Sequence, residues 1–114
     1  MTQQTIQRKL LLKAVMGSRN VSSVDVREIS LAPGQSAGRH LHPCPVFGYI
    51  AEGAAVYQIE GQVPQTLSAG SAFYEPAQRV IARFGNASDS EPMTFIAFYL
   101  LDGDQELIRM LDSE

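Results

Sequence analysis

The only two histidines of the chain, His40 and His42, stand two positions apart. Side chains at positions i and i+2 of an extended strand point to the same face. The two imidazoles are therefore expected side by side, and neutral imidazole is a common ligand of transition metals. The spacing predicts only the beginning of a metal site, because stable sites usually have at least three protein ligands.

Two further residues could supply a third ligand, Cys44 and Glu75. Cys44 extends the alternation of the histidines, and its thiolate would suit zinc or copper(I) better than harder ions. The prolines on both sides of Cys44 each remove a strand hydrogen-bond donor, which favours a bend and a buried, unreactive thiol. For Glu75, the alternative to a metal ligand is a carboxylate at the rim of a pocket, paired with Arg79 or Arg83.

The composition restricts the class of protein and its partners. The chain has 114 residues, enough for one domain with its own core. Only 18% of the residues are charged, the formal net charge is -3, and the basic residues form no dense cluster. Nucleic acid and membrane are therefore not expected as partners, because anionic surfaces are bound through clustered Lys and Arg.

The location of the protein is predicted from its cysteine content and its apolar segments. A single cysteine cannot form an internal disulfide, which is typical of a reducing compartment. The first ten residues lack the apolar core of a signal peptide, and the longest apolar run, residues 94–101, is far too short to span a membrane. We therefore expect a cytoplasmic protein.

Short apolar segments separated by turn signals predict an all-β domain, a sandwich or barrel of roughly six to ten strands. The predicted strands are residues 21–31, 46–51, 54–60, 63–67, 71–75, 80–84 and 93–101. The second and third of these are expected to form a hairpin. The tail, residues 105–110, has apolar residues at helical spacing and is predicted as a short helix.

Two regions have a less regular pattern. Residues 1–20 are densely apolar without a clear period, and we favour a strand that packs on the barrel or contacts a second subunit. In the first predicted strand, Val24 and Val26 have the opposite parity to Ile29 and Leu31. A bulge near Arg27 would bring both pairs to one face.

The stretch around the histidines resembles a known family. It runs from a Pro33-Gly34 turn through H-L-H-P-C-P to an apolar segment that ends at Glu52-Gly53, and a second stretch, G-S-A-F-Y-E-P, begins at Gly70. Over about residues 30–101 these are similar to the two motifs of the cupins, in particular small single-domain bacterial cupins of the RmlC-like jelly-roll type. The resemblance implies one double-stranded β-helix domain and, commonly, a homodimer.

The chain departs from the cupin pattern at the metal site. By resemblance, His40 and His42 occupy two ligand positions, whereas the usual Glu falls on Val46 and the usual third His on Ile81. Neither replacement can bind a metal, so the resemblance implies a reduced two-histidine centre. The metal, if held, is a divalent ion such as Zn, Fe, Mn or Ni. Gln78 also stands where the second motif prefers glycine.

Alternation along the strands predicts the pocket. If Val46 points inward, Gly48 and Ile50 follow, and Phe47 and Tyr49 form an outer face suited to contact with another subunit. In the second motif the inward residues are predicted to be Ile81 and Arg83. A guanidinium in an apolar pocket would suit a small carboxylate or another planar anion.

Three functions remain open from the sequence. The first is a small-molecule-binding cupin with the reduced His40/His42 centre. The second is a metal-dependent cupin enzyme, of dioxygenase or isomerase type, whose additional ligand is Glu75 or Cys44. The third is a structural or regulatory dimer with a vestigial pocket. No catalytic group can be assigned, and no glycine-rich loop for a phosphate-bearing cofactor is found.

Overall fold

The predicted all-β architecture is confirmed in the computed structural model, which describes residues 5–112 of the chain. Within this range the strands are β1 Ser23–Leu31, β2 His40–Leu41, β3 Val46–Glu52, β4 Ala54–Ile59, β5 Gln65–Ser68, β6 Ala72–Glu75, β7 Ile81–Asn86, β8 Met93–Leu101 and β9 Arg109–Met110. These strands are short because glycine, proline and polar turn residues separate them.

The strands form two sheets, and every pairing is antiparallel. The four-stranded sheet has the order β1-β8-β3-β6, and the five-stranded sheet has the order β5-β4-β7-β2-β9. The predicted hairpin of β3 and β4 is therefore wrong, because the chain crosses between sheets at Gly53. Gly53 has a φ of +78°, and a Cβ there would lie 2.9 Å from the carbonyl oxygen of Pro92. The crossing therefore requires glycine.

The core lies between the two sheets and is built from the inward-facing residues of both. On β3 the burial alternates as predicted, with Val46, Gly48 and Ile50 buried and Tyr49 exposed. Gly48 has no room for a side chain, because the ring of Phe73 occupies the place of its Cβ. The β6 strand therefore packs its phenylalanine directly on the β3 backbone.

The first strand, β1, has no bulge. It pairs with β8 in unbroken register from Ser23 to Leu31, so its odd-numbered residues face inward along the whole strand. Ile29 and Leu31 consequently line the interior, whereas Val24 and Val26 lie on the outer face and are more than half exposed. The bulge was predicted to hide two valines that the folded chain leaves exposed.

The two ends of the chain differ from the predictions. Residues 5–20 form neither a strand nor a helix, and residues 1–4 of the predicted N-terminal strand lie outside the described range. The predicted C-terminal helix is wrong, because Arg109 and Met110 pair with β2 as strand β9. Pairing with the strand that carries His40 replaces the local helical preference. Within residues 5–112 no helix is long and apolar enough to cross a membrane.

Candidate metal centre

Three buried side chains meet between the sheets: His40 on β2, His42 just after it, and Glu75 at the end of β6. Their exposed fractions are only 2%, 4% and 4%, and their ligating atoms lie within 4.8 Å of one another. The predicted i, i+2 arrangement brings the imidazoles together, with ring centroids 4.9 Å apart. Glu75 reaches them from the opposite sheet.

The orientation of both imidazoles is fixed by backbone carbonyls. Nδ1 of His40 lies 2.7 Å from the carbonyl oxygen of Gly38, and Nδ1 of His42 lies 2.7 Å from that of Leu107. A carbonyl only accepts hydrogen bonds, so each Nδ1 carries a proton and donates it. In a neutral imidazole the lone pair then resides on Nε2, the atom that faces Glu75, as in histidines that bind metals.

The carboxylate of Glu75 lies between the two imidazoles. Its Oε1 is 3.2 Å from Nε2 of His42 and 3.6 Å from Nε2 of His40. Burial raises the pKa of Glu75, but the hydrogen bonds and charges of the two histidines outweigh it, so the pKa lies below its usual value. Burial lowers the pKa of His42, yet the hydrogen bond and charge of Glu75 and the Leu107 carbonyl raise it above the usual value overall.

These residues fit a divalent transition metal. Ligands bound at about 2.0–2.2 Å from one ion, at tetrahedral or octahedral angles, lie roughly 3 Å apart, close to the two measured separations. Two imidazoles and one carboxylate are a known donor set for zinc and, with positions left open, for non-haem iron(II). The tautomers held by Gly38 and Leu107 already present the ligating nitrogens.

The third potential donor is Glu75, one of the two residues named from the sequence as candidate ligands, and it lies on β6. The resemblance places the usual glutamate at Val46, and Val46 pairs directly with Glu75 of β6 in the sheet register. Directly paired residues of adjacent strands project on the same face, with Cβ atoms about 5 Å apart. A carboxylate on β6 can therefore reach the place that a carboxylate on β3 would occupy. The predicted loss of the third donor is thus compensated across the strand pair.

A cavity of about 150 Å³ adjoins the three side chains. Its walls are largely apolar and come from both sheets and from the C-terminal segment: Ile29, Leu31, Ala37, Val46, Phe84, Phe95, Ala97, Tyr99 and Ile108. Tyr99 contributes the remaining polar group, and its ring lies 5.8 Å from that of His42. Burial and the charge of Glu75 raise the pKa of Tyr99, so its hydroxyl keeps its proton near neutral pH.

The other predicted pocket residues lie in different places. Val46 is part of the cavity wall, whereas Gly48, Ile50 and Ile81 are buried in the surrounding core and are not. Ile81 pairs directly with His40.

The placement of Arg83 in the pocket is wrong, because this residue is exposed. The register between β4 and β7 shifts there: Ile59 pairs with Ile81, but the preceding Gln58 pairs with Arg83. This irregularity breaks the alternation on which the prediction rested. The anion-binding role proposed for the guanidinium has no structural support.

Cys44 lies outside the cluster. It is fully buried, does not line the cavity, and burial raises the pKa of its thiol. The reason is the bend that the prolines introduce, because β2 ends at Leu41 and β3 begins at Val46. Among the described residues, the group able to hold a metal contains Glu75 and not Cys44.

Gln78 adopts a backbone conformation that favours glycine. Its φ is +67°, and it is the one non-glycine residue with a positive φ in the described part of the chain. Its backbone N–H donates to the carbonyl oxygen of His42 over 2.8 Å. The strained turn therefore helps to fix the backbone that carries the second imidazole.

Two features of the site were missed in the sequence. The carbonyl of Leu107 belongs to the segment predicted as a helix, and its hydrogen bond with His42 joins residues 65 positions apart, which no local pattern reveals. Tyr99 was not named among the predicted pocket residues, although its odd position on β8 is opposite Val46 in the sheet. Parity along the predicted strand 93–101 would have found Tyr99, given that pairing.

Comparison with known proteins identifies the fold. The sequence model of the cupin domain family matches residues 27–106 of the chain. No curated protein matches the chain at a significant level. A cupin-like protein from Thermotoga maritima MSB8 has 22% identity and a TM-score of 0.68, over 79% of this chain and 65% of that one. An uncharacterized conserved protein with a double-stranded beta-helix domain, from Klebsiella pneumoniae, has 21% identity and a TM-score of 0.66, over 79% and 76%.

The DMSP lyase DddQ from Ruegeria pomeroyi DSS-3 also resembles the chain. The identity is 18% and the TM-score 0.67, over 77% of this chain and 43% of the lyase. The chain thus spans less than half the length of that enzyme. At these identities the likeness concerns the fold alone.

Proposed function

Because this chain belongs to the cupin family, and because its interior joins two imidazoles to a buried carboxylate, we propose that it is a metal-dependent cupin. In this proposal His40, His42 and Glu75 hold one divalent transition metal ion, and a small molecule binds beside it in the cavity. The observation that carries the proposal is the burial of Glu75 between the two ligating nitrogens. It favours the second of the three functions left open by the sequence.

The energetics of burial argue against a vestigial pocket. Removing an ionised carboxylate from water is strongly unfavourable unless it is paired or binds a metal. Three ionisable side chains at 2–4% exposure would be replaced by apolar residues at little cost if they had no role. The meeting of three such side chains beside a largely apolar cavity therefore supports a binding site.

The cavity limits the size and chemistry of the ligand. An apolar cavity of about 150 Å³ is large enough for benzene, so the expected ligand has roughly six to ten non-hydrogen atoms. Its apolar part would contact Phe84, Phe95 and Ile108, and an oxygen or nitrogen would face the histidines.

The residues of the chain have separable roles in this proposal. A bound divalent metal would act as a Lewis acid on the ligand atom that faces it. His40 and His42 donate their Nδ1 protons to the carbonyls of Gly38 and Leu107, so that each Nε2 faces Glu75 and would be the atom that binds the metal. Tyr99 offers a neutral hydroxyl that can donate a hydrogen bond to the ligand, and the apolar walls exclude water. The DMSP lyase supplies no reaction here, since its likeness is one of fold.

A second candidate, a metal-free binding protein, also has an observation in its favour. Among the described residues, every buried side-chain nitrogen and oxygen has a hydrogen-bond partner. The pair of His42 and Glu75 is therefore satisfied without an ion. The same experiment separates the two candidates.

The test is the metal content of protein purified without chelator, measured by inductively coupled plasma mass spectrometry. We expect close to one transition metal ion per chain, lost in a His40→Ala/His42→Ala variant. Glu75→Gln should weaken binding by more than about 100-fold, because loss of an outer partner alone costs about 10–100-fold. Glu91→Gln is the matched control, since Glu91 is exposed and lies outside the cluster.

Two results would overturn the proposal. Metal-free wild-type protein that also fails to bind added Zn²⁺, Fe²⁺, Mn²⁺ or Ni²⁺ would favour the metal-free binding protein. Full metal content in Glu75→Gln would show that the carboxylate is not a ligand.

A further inference from the structure

The C-terminal segment, residues 102–112, lies against both the second imidazole and the cavity; we call it the strap. The backbone carbonyl of Leu107 accepts the Nδ1 proton of His42 over 2.7 Å, and the side chain of Ile108 belongs to the cavity wall. Ile108 is 40% exposed, whereas the other residues that line the cavity are buried or half-buried. The cavity therefore meets solvent at the strap.

The strap is attached to the rest of the chain along one short edge. Its strand, β9, is two residues long, stands at the end of the five-stranded sheet and pairs with β2 on one side only. Further hydrogen bonds run from the Leu111 N–H to the Arg39 carbonyl, from the Arg39 guanidinium to the Asp112 carbonyl, and from the Gln105 amide to the Pro43 carbonyl. A segment with so short a pairing opens at a small part of the free energy of global unfolding.

The side chains of the strap give it one apolar anchor. Leu107 is half-buried and packs against the hydrophobic core, whereas Met110 is 56% exposed. The strap leaves β8 through Gly103, which has a φ of +66° and donates its N–H to the Ser22 hydroxyl over 2.8 Å. Glycine tolerates large changes of backbone angle, so this residue is suited to act as a hinge.

The two imidazoles depend differently on the strap. His40 donates its Nδ1 proton to the carbonyl of Gly38, two residues before it on the same stretch of chain. His42 donates to Leu107, which belongs to the strap. Movement of the strap away from the cavity would therefore remove the acceptor of His42 and leave that of His40 in place.

We propose that the strap opens as a unit about Gly103 to admit the ligand, and that its closure restores the hydrogen bond that orients His42. Access to the cavity and the orientation of one metal-binding imidazole are then coupled, so the centre is complete only while the cavity is closed. The admission of a ligand rests on the proposed function. The opening itself rests only on the contacts of the strap.

The test is the rate at which diethyl pyrocarbonate modifies each histidine in chelator-treated protein without denaturant, measured by tandem mass spectrometry. The two imidazoles are only 2% and 4% exposed, so modification requires opening, and its rate follows the population of the open form. We expect His42 to be modified faster than His40, because the strap takes the acceptor of His42 with it. Global unfolding would expose both histidines equally.

A pair of leucine variants separates the strap from the rest of the core. Leu107→Ala keeps the backbone carbonyl but removes the apolar anchor, and it should speed the modification of His42 roughly 10-fold, which corresponds to about 1.4 kcal/mol. Leu67→Ala is the matched control, because Leu67 is also half-buried against the core but lies on β5. It should leave the rate unchanged.

A reversible lock tests the movement directly. Leu41 and Arg109 are directly paired between β2 and β9. The Cα atoms of such a pair lie about 4.5–5.5 Å apart, which a disulfide can span. Oxidised Leu41→Cys/Arg109→Cys should be modified roughly 10-fold or more slowly than the same variant after reduction, because the closed form is then held covalently. Cys44 is fully buried and does not compete for the bond.

Three results would each overturn the proposal. They are equal modification of both histidines in the wild type, equal acceleration by Leu107→Ala and Leu67→Ala, and a disulfide that leaves the rate unchanged. The assay contains no metal, so a failure of the proposed metal site would not alter its outcome.

Discussion

The two sides of the four-stranded sheet pose opposite problems of solvation. Its inner side carries Glu75, a buried charge among apolar residues, and that charge is matched by two imidazoles at 3.2 and 3.6 Å. Its outer side carries apolar residues in water, with Val26 and Phe98 uncovered within the single chain. The comparison teaches that a buried charge is tolerated where partners match it, as the two imidazoles match Glu75, whereas the apolar residues of the outer side remain exposed in the described chain.

The largest expected effect on stability comes from truncating a residue that is packed on the inner side of the sheet. Ile50 is fully buried, and Ile50→Ala should lower the free energy of unfolding by about 2–5 kcal/mol, because it removes apolar contacts and leaves a cavity. Val63→Ala, at an exposed position, should change it by less than about 0.5 kcal/mol. Urea unfolding measures both. Equal effects would mean that Ile50 is not part of a tightly packed interior.

Moving the carboxylate from position 75 to the paired position 46 tests whether the two positions can supply the same ligand on the inner side. Glu75→Val should abolish metal binding, and adding Val46→Glu to that variant should recover at least 10-fold in affinity, because the two positions are directly paired. Isothermal titration with Zn²⁺ measures the recovery. Val56→Glu in the same background is the control, since Val56 lies on β4 and outside the cavity wall. Recovery by the control, or none by Val46→Glu, would contradict the geometry.

The metal-free protein should show a stability maximum in pH that depends on the buried pair. The lowered pKa of Glu75 adds stability that is present above its ordinary value near 4.5 and is lost as the pH falls through the lowered pKa. The raised pKa of His42 adds stability that is complete below its ordinary value near 6.5 and is lost as the pH rises through the raised pKa.

Together these shifts place the maximum between about pH 4.5 and 6.5. Urea unfolding of the chelator-treated protein from pH 3 to pH 9 measures it. Glu75→Gln should flatten both limbs, whereas Glu91→Gln should keep them. An unaltered pH profile in Glu75→Gln would mean that the pair does not interact.

The smallest effect concerns the turn behind the second imidazole. Gln78→Gly should raise the free energy of unfolding by about 1 kcal/mol, because glycine adopts a positive φ without steric cost. Gln62→Gly, at a turn position with an ordinary φ, should not stabilise the protein. Thermal unfolding measures the stability of both variants. Equal shifts of their melting temperatures would rule out backbone strain at residue 78.

The sequence predicted features that depend on local pattern. Residues 93–101 form the strand β8 with the expected bounds, the i, i+2 spacing brings His40 and His42 together, and the fold class is confirmed. Each of these follows from a period along one segment or from the resemblance. The alternation of burial on β3 was predicted in the same way.

The features that were missed depend on pairing between distant segments. Nothing local reveals that Glu75 lies opposite Val46, that Ile59 and Gln58 pair on either side of an irregularity that turns Arg83 outward, or that β9 joins β2. A turn such as Gly53 can also lead into a second sheet instead of a hairpin. Register is a tertiary property, and a shift of one residue reverses the direction of every side chain.

The most direct test of the central claim is X-ray absorption spectroscopy of the protein loaded with Zn²⁺, compared with its Glu75→Val variant. The account predicts two imidazole nitrogens and a carboxylate oxygen near 2.0–2.1 Å in the wild type. It predicts loss of the carboxylate oxygen in the variant. A spectrum without imidazole ligands, or one that Glu75→Val leaves unchanged, would contradict it.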